Sequence, residues 1–110
     1  MDERAERIGL NEALFREVNE RVKAINTGFG EPLPETDFVC ECGLDSCTER
    51  VRMTLPAYEA LRADPTHFAV RPGHQIPDVE TVVEEHDDYV VVEKDPGGPA
   101  RLAAETDPRR

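Results

Sequence analysis

The sequence has 110 residues, a formal net charge of −11 and 38 % hydrophobic residues, with no Trp. The length fits one domain. The charge excludes a binder of DNA or RNA backbones, which needs a dense Lys/Arg patch. The acid is concentrated in the middle: residues 27–94 carry fifteen acidic and five basic side chains, against six and five in 1–26 and three of each in 95–110.

No apolar stretch approaches the ~20 residues a membrane-spanning helix needs, and no apolar signal region follows Met1-Asp2-Glu3-Arg4. These features predict a cytoplasmic protein. Arg outnumbers Lys eleven to two, which points to a high-GC bacterial source. A chain this small gains only a few kcal/mol from one apolar core, so a metal staple is a sensible remedy.

In chain order, the first element is an amphipathic helix over 11–26. Leu14, Phe15, Val18, Val22 and Ile25 recur at helical spacing and form one apolar stripe, which packs on the protein's own sheet or on a partner or second copy. Asn11 is the expected N-cap, Glu12–Arg16 and Glu17–Arg21 are expected surface pairs, and Gly28 and Gly30 are stops. Residues 31–36, with two prolines, read as an extended linker. Strands over 37–42 and 49–54 flank the turn-forming segment 43–48 and make a hairpin with cysteines at its tip. Alternation points Val51 and Met53 inward and Arg50 and Arg52 outward.

Thr54 caps a short helix over about 55–63, with Leu55, Tyr58 and Leu61 on one side and Asp64-Pro65 at its end. Phe68-Ala69-Val70 is a third strand, closed by Pro72-Gly73-His74. Strands over 79–85 and 89–93, joined at His86-Asp87-Asp88, form a second hairpin. The acidic run from Asp78 to Asp88 reads as a solvated edge of that hairpin. From Asp95 onward Pro, Gly, Ala and charge dominate, which predicts a disordered tail. The expected fold is α+β: an N-terminal amphipathic helix (1–30), then a zinc-binding segment (31–94) with a small mostly antiparallel sheet and one short helix around the metal, then the tail (95–110).

Cysteine supplies the one chemical constellation. Three is an odd number, which argues against a secreted disulfide framework, and clustered cysteines in a reducing compartment bind metal or do redox work. Cys40 and Cys42 sit at i and i+2 of a strand and face the same way, and the turn returns Cys47 toward them. Zinc needs four ligands in a tetrahedron, so a fourth must come from elsewhere. His67, His74 and His86 compete, with a carboxylate or a water as further alternatives. His74 is favoured because Pro72-Gly73 forms a tight turn that places it rigidly at a strand end. The expected metal ligands are therefore Cys40, Cys42, Cys47 and His74, with Zn2+ as cofactor.

A set of four protein ligands closes the site and argues for structure, because catalytic zinc keeps an open position. Were His74 not to bind, an open site with Glu41 or Asp45 as base would suit a small hydrolase. Otherwise no catalytic residues stand out: Ser46 has no histidine and acid in order around it, and no phosphate-cradling glycine loop is present.

Asn11 to Arg21, Phe38-Val39-Cys40-Glu41-Cys42 with Cys47, Leu55 to Arg62, and Pro72-Gly73-His74 together resemble a group of short actinobacterial zinc-ribbon-like proteins, over most of residues 11–94. The resemblance implies that the cysteines and His74 form one site and that the source is actinobacterial. It implies no activity or partner. The functional expectation is a non-enzymatic zinc module for interaction or regulation, with a protein partner, basic in character, and scope for self-association through the N-terminal helix. The alternative is a thiol redox sensor in which Cys40, Cys42 and Cys47 release zinc on oxidation.

Overall fold

The computed structural model describes residues 1–28 and 35–109. The element order is α1 (Glu3–Thr27), β1 (Thr36–Val39), β2 (Arg50–Met53), α2 (Leu55–Arg62), β3 (His67–Val70), β4 (Glu80–Glu85), β5 (Val90–Lys94) and α3 (Gly98–Glu105). The fold is α+β, with two small antiparallel sheets where the sequence suggests one. Strands β1 and β2 pair alone, and the other sheet has the order β3-β5-β4. Of the linker expected over 31–36, residues 31–34 lie outside the described residues, as does the stop at Gly30, and Thr36 already belongs to β1.

Both hairpins form. In the first, Phe38 faces Val51 and Thr36 faces Met53. Phe38, Val51 and Met53 are buried while Arg50 and Arg52 are exposed, as the alternation requires. Phe38 stacks on Tyr58 of α2 with ring centroids 4.4 Å apart. Thr54 caps α2, its hydroxyl accepting from Ala57 N, with Pro56 in the first turn where its missing N–H costs nothing. Leu55, Tyr58 and Leu61 turn inward onto Phe68 and the valines of β5.

Helix α1 differs most from expectation. It begins eight residues before Asn11, capped by Asp2, whose carboxylate accepts from Ala5 N at 2.7 Å. Gly9 lies inside the helix, where a Cβ would come 2.6 Å from Leu102 of α3. The bare glycine is a seat for another helix. The buried face is only in part the apolar stripe: Leu14 and Ile25 are exposed, Phe15, Val18 and Val22 are half-buried with Val22 packed against the core, and Ile8, Glu12, Ala13, Arg16 and Asn19 are the buried residues. Glu12 and Arg16 are therefore not a surface pair. Glu12 accepts from Lys94 Nζ at 2.6 Å, while the Arg16 guanidinium donates to the carbonyls of Pro65 and Ala103 and lies over the Phe68 ring.

The expected disordered tail is also overturned. Residues 98–105 form α3, with Pro99 in the first turn, and Gly97 supplies the left-handed backbone (φ +99) that precedes it. Three arginines hold this segment. Arg16 takes the Ala103 carbonyl, buried Arg62 pairs with Asp107 at 2.5 Å, and Arg109 bridges Glu20 and Glu59. Composition cannot foresee this, because the fixing groups are single charges distant in sequence. Within the acidic run, Glu84, Glu85 and Asp87 are exposed, but Glu80 is buried against Lys94 at 3.0 Å.

Candidate metal centre

The site is built where the β1–β2 hairpin meets the turn after β3. Cys40 N donates to Glu49 O and Cys47 N to Leu44 O, so the loop between β1 and β2 folds back and returns Cys47 toward Cys40 and Cys42. Arg71-Pro72-Gly73-His74 is a tight turn closed by His74 N to Arg71 O at 2.9 Å. Gly73 has φ +91, the value that a type II turn demands of its third residue, and Pro72 sits at the second. The Gly73 N–H is in turn held by Gln75 Oε1.

One ligand atom from each of Cys40, Cys42, Cys47 and His74 lies within 4.8 Å of the others. His74 Nδ1 is 3.6 Å from the sulfurs of both Cys40 and Cys47. Cys40 and Cys42 are buried and Cys47 is half-buried, and all three are free thiols. Arg71 N donates to the Cys40 sulfur at 3.2 Å, and the backbone amides of Leu44 and Glu49 act to lower the Cys42 and Cys47 thiols. Such amides favour the thiolate form. The thiols also act on one another. A hydrogen bond from Cys40 pulls Cys42 well below the usual thiol range, and the same bond, with burial, pushes Cys40 far up. Burial also raises Cys47. These couplings oppose ionising all three sulfurs at once; holding three thiolates together needs a cation at their centre.

The other histidines lie elsewhere. His67 faces Asp64 and Glu93, and His86 contacts Glu84 and stacks on Tyr89 at 4.4 Å. Glu41 is not aimed at the cluster. β1 ends at Val39, short of the strand expected over 37–42, and Glu41 lies fully buried on the side of this segment away from the sulfurs, where Oε2 accepts from Asn19 Nδ2 at 2.7 Å and Oε1 from Ala69 N at 3.0 Å. Asp45 is exposed.

Alternation thus gives the segment two opposed duties. Residues 40 and 42 face the candidate metal site. Val39, Glu41 and Gly43 face α1: Asn19 bonds both backbone groups of Val39 and the Glu41 carboxylate, Asn11 donates to Gly43 O, and Ile8 packs where a side chain on Gly43 would stand. Sequence reading missed Asn19 and Glu41 as partners, since a polar helix residue normally signals a solvated face.

The arrangement can hold one metal ion by three sulfurs and a nitrogen. No described helix is long and apolar enough to cross a membrane. Comparison with protein-family models, with curated proteins and with solved structures returns no match.

Proposed function

We propose that the chain is a non-enzymatic zinc protein in which Cys40, Cys42, Cys47 and His74 hold one structural Zn2+, and that the folded unit acts as an interaction or regulatory module. The observation that carries this reading is the cluster's geometry. With Zn–S about 2.3 Å and Zn–N about 2.0–2.1 Å, a tetrahedral S–N edge is about 3.6 Å; His74 Nδ1 lies 3.6 Å from the sulfurs of Cys40 and Cys47. Thiolate and imidazole donors suit zinc, and the Arg71 amide on the Cys40 sulfur is outer support of the kind that metal thiolates use.

Four protein donors leave no open corner, and Glu41 is committed to Asn19 and Ala69, which argues against hydrolysis. The acidic middle of the chain suits a basic protein partner. The redox reading keeps one supporting observation: Cys47 is only half-buried, so an oxidant can reach one sulfur of the set.

The test is elemental analysis of purified wild type, His67→Ala, His74→Ala and His86→Ala. The reading expects one tightly held zinc per chain, lost or weakened only in His74→Ala. A folded wild type without metal would refute it, and would direct attention to thiol titration before and after mild peroxide.

A further inference from the structure

A second group of metal-ligating side chains lies away from the cysteines. His67 opens β3, Glu93 faces it across the β3–β5 ladder, and Asp64 sits in the turn just before β3. The three ligand atoms lie within 4.8 Å of one another. His67 Nε2 is 3.3 Å from Asp64 Oδ2 and 3.1 Å from Glu93 Oε1.

Two features separate this trio from a chance surface contact. An imidazole nitrogen carries at most one proton, yet Nε2 faces two carboxylates from two different elements at similar distances. One hydrogen cannot serve both well, whereas a cation between the three atoms serves all of them. The geometry is also held in advance. Asp64 Oδ1 accepts from Thr66 N at 2.9 Å and Thr66 Oγ1 at 2.7 Å, which turns Oδ2 toward His67. His67 N closes the turn onto Asp64 O, and Lys94 N ties Thr66 O to the strand that carries Glu93. A carboxylate fixed by its second oxygen is the outer support usual for metal ligands.

We infer that Asp64, His67 and Glu93 form a second, open divalent-metal site of the zinc class. Metal–N and metal–O bonds of about 2.0–2.2 Å give tetrahedral edges of about 3.3–3.5 Å, within a few tenths of those observed. The nitrogen-and-oxygen donor set favours zinc, cobalt or nickel over the soft ions that thiolates select. Three ligands, part-exposed, leave a corner for water. The site is therefore weaker than the cysteine centre and exchanges its ion with solvent.

The test is calorimetric titration of the full chain with Zn2+ alone. Wild type takes up two equivalents, one tight and one at least tenfold weaker. Cys47→Ser removes the tight one and spares the weak one, so the two sites are read independently. His67→Ala removes the weak equivalent and Glu93→Gln weakens it at least tenfold, while His86→Ala, altering the exposed pair with Glu84, leaves it unchanged. Far-UV circular dichroism checks that each variant is folded, and the exposed Glu93→Gln change gives a readout if His67→Ala is not. No His67-dependent uptake in wild type, or a weak equivalent that survives in folded His67→Ala, overturns the assignment.

Discussion

Replacing Glu12 by Gln should stabilise this protein at neutral and alkaline pH and reverse part of its pH dependence. Glu12 is fully buried in α1, with Lys94 Nζ at 2.6 Å, and Lys94 also reaches Glu80 at 3.0 Å. One ammonium faces two carboxylates. Burial raises Glu12 to about 9, helped by the charge of Glu80 and opposed by Lys94. Its Oε2 has no donor, as befits an oxygen that carries a proton. The folded state therefore holds a proton on Glu12 that the unfolded chain releases near 4.5. Between those values the native state binds more protons, so stability falls as pH rises, by about 1.4 kcal/mol per unit. Below the window the effect is absent.

Glutamine reproduces the neutral acid: its oxygen accepts from Lys94 and its amide donates to Glu80. Urea unfolding of both proteins from pH 5 to 9, at matched zinc, reads the effect. The depressed Cys42 thiol alone makes stability rise with pH, so the informative quantity is the difference between the curves. From pH 6 to pH 8 the variant should gain about 3 kcal/mol on wild type. Parallel curves, or a variant less stable at pH 8, would show Glu12 ionised against Lys94 and the reasoning wrong.

Asp107→Asn strips the charge partner from buried Arg62, whose Nε and Nη1 already lack acceptors; a loss of about 3 kcal/mol is expected in denaturant midpoints, and a loss under 1 would show that the C-terminal strap is dispensable. Asn19→Ala leaves Val39 N and O and the Glu41 carboxylate short of partners inside the protein, which should cost about 2–4 kcal/mol; unchanged thermal unfolding would contradict it. Gly73→Ala meets open space but holds φ +91, so it should cost about 1 kcal/mol and weaken zinc binding by moving His74, measured by competition with a chelating dye. Unaltered affinity would show that the turn does not position the ligand.

Local chemistry was legible in the sequence. Alternation located β2, Thr54 and Pro56 located α2, and Pro72-Gly73 located the turn that carries His74. The faces of α1 were legible only in part, Val22 of the stripe packing on the core while Leu14 and Ile25 face out. Periodicity assigns the inner face to the apolar stripe, but here Glu12, Arg16 and Asn19 go inside because each meets a partner 20 or more residues away: Lys94, the carbonyls of Pro65 and Ala103, and Val39 with Glu41. The same holds for α3: Ala100 to Glu105 are good helix formers, but eight residues are too few to hold a helix alone, and three arginines distant in the fold fix it. Asp64, His67 and Glu93 meet only because β3 pairs with β5, a long-range pairing that hairpin rules do not supply.

The segment from Val39 to Gly43, at and beyond the end of β1, has an additional consequence, which is a matter of parity. Its even-numbered members face the candidate metal site and its odd-numbered members serve α1. A single residue inserted after Val39 would exchange the two sets at one stroke, presenting a carboxylate to the metal and a thiol to Asn19. Two residues inserted there would restore both. Length changes in this segment should therefore survive only in steps of two, and the metal centre and the helix interface must change together.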